Sequence, residues 1–220
     1  MGIFKQGPFG PFLGKVGNLV GSTWRGINYL RIMPASVHNP NTPAQVTQRT
    51  KFGLVVQFLR PLLGFIKMGY KGYAVDMSAY NAAISYQIKH AVLGDYPDQA
   101  ISFDAVMVSR GNLRGVPEAT AAAAGSSVIE VTFEDNSDLG DASADDKAIV
   151  VVYNPDKADV AWTLDAGTRS DALAEITLPA SYVGDTVHVY LAFGSIADLV
   201  YSGTKDTISD SVYAGEVVVS

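Results

Sequence analysis

The stretch Val37-His38-Asn39-Pro40-Asn41-Thr42-Pro43-Ala44-Gln45-Val46-Thr47-Gln48-Arg49-Thr50-Lys51-Phe52 decides how this chain is read, because it turns a glycine-rich leader into a helix. Thr42 offers its hydroxyl to the unpaired N–H groups of a first turn. Pro43 suits the first helical position, where its missing N–H would go unpaired anyway, and Gln45 completes a Thr-x-x-Gln capping box. A helix is therefore expected from residue 43. Gln48 and Arg49 follow just inside it, and the donors of Arg49 suit it to hold backbone carbonyls or a carboxylate at the junction.

Downstream of this start, Phe52, Val55, Val56, Leu59, Leu62, Leu63 and Ile66 recur at helical spacing, which predicts one apolar face. Pro61 stands inside the pattern and predicts a kink or break near residues 59–60. A second helix is signalled by Asp76 or Ser78 as cap, by Met77, Tyr80, Ile84, Ile88, Ala91 and Val92 on one face, and by Gly94 after it. Together these make a two-helix hairpin, whose apolar faces meet each other or a following sheet.

Upstream, residues 1–36 hold glycine at 2, 7, 10, 14, 17, 21 and 26, with Phe4, Phe9, Phe12, Trp24 and Tyr29 among them. The Gly-Pro-Phe-Gly-Pro-Phe run cannot form a stable helix, since proline removes a donor and glycine adds chain entropy. An extended arm is expected, with residues 22–32 alternating as a short strand pair. Its aromatic rings need cover from this molecule or a neighbour.

Beyond residue 100 the period shortens. Strands are expected at 101–108, 128–133, 148–153, 160–164, 173–178, 187–193 and 213–219, with a loose alanine-bearing connection over 111–125. Asp-Asn-Ser, Asn-Pro-Asp and Asp-Ala-Gly turns separate them and no helical pattern intervenes, which argues for an antiparallel β-sandwich. The expected class is α+β: residues 1–100 as arm plus helical hairpin, residues 101–220 as sandwich domain.

The 220 residues suffice for one large or two small domains with cores of their own. An apolar fraction of 48% excludes a disordered chain, and charged residues at 17% fall below the usual quarter, so protein-covered surface is expected. With no cysteine there is neither a disulfide framework nor a thiolate nucleophile. The first residues lack the apolar core of a signal peptide, and Arg60 and Lys67 interrupt the richest apolar run, so neither export signal nor membrane span is expected. Cytoplasmic synthesis follows, with a virion or extracellular assembly as a possible destination. Residues 1–100 carry ten Lys/Arg against three Asp/Glu, and residues 101–220 carry six against nineteen. Opposed halves of this kind favour head-to-tail association or a basic half facing an anionic partner.

Few residue groups suggest chemistry. Residues 135–146 partly follow a calcium-loop template through Asp135, Ser137, Asp141 and Asp146 with Gly140 at the turn, although Leu139 stands where a ligand belongs. A solvated loop between strands is the plainer reading. His38, His90 and His188 lack ligand spacing to one another. No Gly-x-Ser-x-Gly elbow or phosphate cradle occurs. The basic residues of the first hundred are too dispersed for a nucleic-acid patch, which makes subunit contact the better use for them. No cofactor is implied.

At Asn39-Pro40-x-Thr42-x-x-Gln45-x-x-x-Arg49-x-x-Phe52, preceded by Gly14-Lys15-Val16-Gly17-Asn18, the chain resembles an uncharacterised protein family widespread in Bacteroidota. The resemblance continues through Tyr80-Asn81, Gly94-Asp95-Tyr96-Pro97, Ser109-Arg110-Gly111-Asn112-Leu113, Asp135-Asn136-Ser137 and Tyr213-x-Gly215. The short Asn-Pro-x-Thr core is also similar to segments of hypothetical proteins encoded beside bacteriophage structural genes, which implies a particle or filament component. Leu178-Pro179-Ala180-Ser181-Tyr182 is similar to the corner before strand F of fibronectin type III domains, an immunoglobulin-like arrangement.

The function expected is that of a non-enzymatic structural protein that forms a homo-oligomer or larger assembly. Phe4, Phe9, Phe12, Trp24, Asn39, Thr42, Gln45, Arg49 and Phe52 are its assembly or junction residues. The alternative is a glycan- or protein-binding immunoglobulin-like module, calcium-stabilised at residues 135–146.

Overall fold

A computed structural model describes residues 2–3, 13–24, 26–36, 39–195 and 207–220. Phe4, Phe9, Phe12 and His38 lie outside these. The chain divides into two units, Met1–Thr42 and Pro43–Ser220. The division falls at the start of the helix rather than at the expected residue 100. The reason lies in the core: the helices share one buried cluster with strands beyond residue 147, so a cut at 100 would split it.

In the first unit the expected arm is a sheet. Strands β1 (Gly2–Ile3), β2 (Gly14–Val16), β3 (Leu19–Trp24) and β4 (Ile27–Ile32) form four antiparallel strands in the order β1-β4-β3-β2. Gly17, at φ +57, and Gly26, at φ +75, sit at the two tight turns where a left-handed backbone is needed. The strand pair expected over 22–32 is therefore present, but wider and with two further partners.

The second unit opens with α1 (Pro43–Leu59) and α2 (Leu63–Gly69), which meet at 94° across Pro61. The break rotates the apolar stripe. Val55, Leu59, Leu62 and Ile66 are buried as the spacing predicts, but Phe58 and Phe65 are buried too, while Phe52 and Leu63 face solvent. Helix α3 (Ala79–His90) is capped by Ser78, whose Oγ accepts from Asn81 N at 3.1 Å. A small hairpin, β5 (Val92–Leu93) with β6 (Ala100–Ile101), follows. Residues 101–108 are not the expected strand: pairing ends at Ile101 and Phe103–Ala105 is a 3-10 turn.

The remaining strands are β7 (Ala119–Gly125), β8 (Val128–Phe133), β9 (Lys147–Asn154), β10 (Asp159–Thr163), β11 (Leu173–Thr177), β12 (Thr186–Gly194) and β13 (Val212–Val218). They form two antiparallel sheets, β10-β9-β12-β13 and β11-β8-β7. β7 was expected as loose connection, because alanine is a poor strand former; pairing along β8 through the left-handed Ser126-Ser127 turn holds it extended.

Strand β9 is buried along nearly its whole length, as a strand with both faces covered must be. Ala148, Val150 and Val152 join Ile129, Val131, Ile176 and Val189 in one cluster. Ile149, Val151 and Tyr153 alternate onto the opposite face and meet the helices, where Phe58 packs edge-on to Tyr153 at 4.9 Å. The class is α+β, with three α-helices among the described residues and antiparallel strands in several sheets. No single helix is long and apolar enough to cross a membrane.

Candidate functional site

The first candidate surface is the leading sheet. Residues directly opposite in a ladder share a face, so its register sorts the side chains. Val16, Leu19, Leu30 and Ile32 lie on one face, which carries no charge; Lys15, Val20, Trp24, Ile27, Tyr29 and Arg31 lie on the other. Between residues 13 and 36 the only buried described residue is Gly21. Ile32 is 76% exposed, Val16 61% and Trp24 61%. A single sheet without a second layer buries too little to be stable alone, and here both faces carry apolar side chains, one of them together with Lys15 and Arg31.

The second surface surrounds residues 134–146, which hold six acidic residues and no Lys or Arg. Its anchor is Arg169, fully buried at the start of a short 3-10 turn. Nε and Nη2 of Arg169 reach Asp146 Oδ2 at 3.2 and 3.0 Å, Nη1 donates to Asn136 Oδ1 at 2.6 Å, and Nη2 donates to Arg114 O at 2.7 Å. The guanidinium also lies 4.1 Å from the centroid of Phe193. Asn136 Nδ2 donates to Gly115 O at 2.9 Å, so both ends of its amide are used. Beside this anchor opens a cleft of about 470 Å³, lined by the apolar Val116, Leu139 and Val212 and by the charged Glu134, Asp135, Asp210 and Arg114.

The calcium-loop residues are not brought together. Asp135 Oδ1 accepts from Ser137 N at 3.0 Å as a local turn, Asp141 Oδ1 accepts from Arg114 N at 3.2 Å, and Asp146 is committed to Arg169. Among the described residues no three His, Asp or Glu side chains come close enough to share a metal ion. The spacing on which the template rests belongs to a loop flanked by helices; here β8 and β9 set the loop ends.

A third cluster centres on Arg110. Its guanidinium lies between the rings of Tyr73 and Tyr86, at 4.4 and 4.7 Å from their centroids, and the Arg110 backbone N–H donates to Gly69 O at 2.9 Å. The Tyr70 hydroxyl and Gln87 Nε2 both donate to Met107 O, at 2.9 and 2.5 Å. Burial drives the Tyr70 phenol far above its ordinary range, partly opposed by the positive charge of Arg110. The cluster ties the helices to residues 107–111 and offers no nucleophile or base pair.

The two described histidines, His90 and His188, have different partners. His90 stacks on Tyr86 at 4.4 Å at the end of α3. His188 stacks on Phe103 at 3.8 Å and shares a hydrogen bond of 3.0 Å between Nδ1 and the Tyr213 hydroxyl. Burial lowers its pKa, against the opposing charge of Glu216.

The bonds of the junction residues include two local ones. Asn39 Oδ1 accepts from Asn41 N at 3.3 Å, Thr42 stands immediately before the helix, and Arg49 Nε donates to Gln45 O at 3.3 Å within it. That carbonyl belongs to Arg49's own helix. Phe52 is half-exposed rather than packed.

The family described as a family of unknown function, DUF6266, matches residues 10–215. The chain belongs to DUF6266. No curated protein and no solved structure matches it. Within this DUF6266 chain, Arg110 and Asn136 stand in two of the segments that carry the sequence resemblance, and the structure gives both a role in packing. Arg169 had no signal in sequence: a lone arginine between turns reads as surface.

Proposed function

We propose that this protein is a non-enzymatic structural subunit that self-associates through its leading sheet. The observation that carries the reading is the sheet itself: apolar residues stand on both faces, and the described residues of this unit form one layer with no second layer of their own. Strands of six residues at about 3.4 Å each, four across at about 4.8 Å, give one face at most roughly 400 Å². A stable interface takes about 800 Å² from each partner, so covering both faces suits an assembly better than one contact can. The low charge density supports the same reading.

In this reading the strands beyond residue 119 act as an immunoglobulin-like sandwich, carried on the subunit for display. Support comes from the cluster shared by β8, β9, β11 and β12. An origin among Bacteroidota and a place in a phage particle or filament, both implied by the resemblance, belong to this proposal. Light scattering of the purified chain against a Leu19→Ser/Ile32→Ser variant tests it. Concentration-dependent mass in the first and a monomer in the second are expected; a wild-type monomer at high concentration overturns it.

The second reading, a module that binds a protein or glycan, has one observation in its favour: the cleft beside residues 134–146, whose lining combines apolar and charged side chains.

A further inference from the structure

We propose that the cationic face of the leading sheet docks on the acidic cleft of a second copy of this chain. The inference rests on the self-association reading and names the surface that receives the sheet.

The two faces of the sheet differ in kind. Lys15, Val20 and Arg31 form one cross-strand row, so two exposed cations flank an apolar side chain on the same face, with Trp24 and Ile27 at the hairpin end. The opposite face, Val16, Leu19, Leu30 and Ile32, has no charge. Residues 1–42 contain four Lys/Arg and no Asp or Glu, so no carboxylate inside this unit answers the cations. An uncharged apolar face can cover its own like; a face with a cationic row and an indole needs an acidic surface with an apolar inset.

The cleft beside residues 134–146 is such a surface. Glu134, Asp138 and Asp145 are exposed, while Asp146 is paired with Arg169. Leu139, 52% exposed, lines the cleft with Glu134, Asp135 and Asp210 and supplies the apolar inset. Arg169 is what makes the surface firm, since it pins both Asn136 and Asp146 from below. Because the giving and receiving surfaces differ, the contact is heterologous and propagates into a ring or filament instead of closing a pair.

Charge reversal in two halves tests the docking. Lys15→Glu/Arg31→Glu and Glu134→Lys/Asp138→Lys alter exposed side chains, and circular dichroism confirms that each variant folds. By sedimentation velocity, each alone loses the large species that the wild type forms, and the two mixed recover it at least in part. Variants that assemble like wild type, or a mixture that recovers nothing, overturn the docking. If Leu19→Ser/Ile32→Ser nevertheless dissociates the protein, self-association stands and only the acidic receptor falls. Binding of a single-stranded oligonucleotide, lost in Lys15→Glu/Arg31→Glu while assembly persists, also overturns the proposal and reassigns the face.

Discussion

Replacing Arg169 with methionine takes away the donors for Asp146 Oδ2, Asn136 Oδ1 and Arg114 O at once, and leaves the Asp146 carboxylate, 11% exposed, without its counter-charge. Methionine fills much of the space over Phe193, so the cost is electrostatic more than steric. Removing one member of a buried ion pair costs about 3–5 kcal/mol. For a unit of this size each kcal/mol is worth about 2–4 °C, so the melting temperature falls by roughly 6–20 °C. Amide exchange across residues 134–146 should rise together with that fall, because Asn136 and Asp146 lose their anchor. The double variant Arg169→Met/Asp146→Asn removes the orphaned charge and should recover part of the loss. Thermal melting with hydrogen exchange reads all three proteins. A single variant melting within about 2 °C of wild type, with exchange of the loop unchanged, refutes the anchoring role.

Calcium in roughly hundredfold excess over the dissociation constant of a real site would add about 2.7 kcal/mol; no shift in melting is expected here, since Asp146 is held by Arg169. Gly94→Ala places a Cβ 2.5 Å from Asp98 O at φ +80, and denaturant unfolding should show a loss of about 1–3 kcal/mol, or the turn is not as described. The lowered pKa of His188 means that its contribution is present above the unfolded value of about 6.5 and is lost as pH falls below it. A His188→Gln variant should therefore show a flatter fall in stability below that pH. Tyr70 and Tyr190, raised by burial, contribute below about pH 10 and lose that contribution as pH rises further. Their ultraviolet ionisation should coincide with alkaline unfolding, and ionisation ahead of unfolding contradicts their burial.

What the sequence shows of this fold depends on how local the cause is. The start at Pro43, the break at Pro61 and the cap at Ser78 follow from proline and hydroxyl chemistry within a few residues, and each appears where expected. The strands around β8, β9 and β12 are legible from their apolar runs. The stretch 119–125 is not, since alanines become a strand only through the partner β8. The boundary at residue 42 is hidden for a similar reason: whether the helices belong with the arm or with the later strands is decided by Ile149, Val151 and Tyr153, a hundred residues away. Of the candidate sites, Trp24 was visible as an apolar residue needing cover, yet only the register separates it from Leu19 and Ile32 on the other face. The acidic loop drew attention for its spacing, whereas its geometry is governed by Arg169, which no spacing rule reaches.

Trp24 reports most directly on the central claim. In a Trp162→Phe background it is the only indole in the chain, and in the single molecule it is mostly exposed. Its emission, followed across a dilution series alongside sedimentation velocity, should lie toward the blue while the large species persists and move to the red as the protein dissociates. Red emission at every concentration, from a protein that sediments as a monomer throughout, contradicts assembly through the leading sheet.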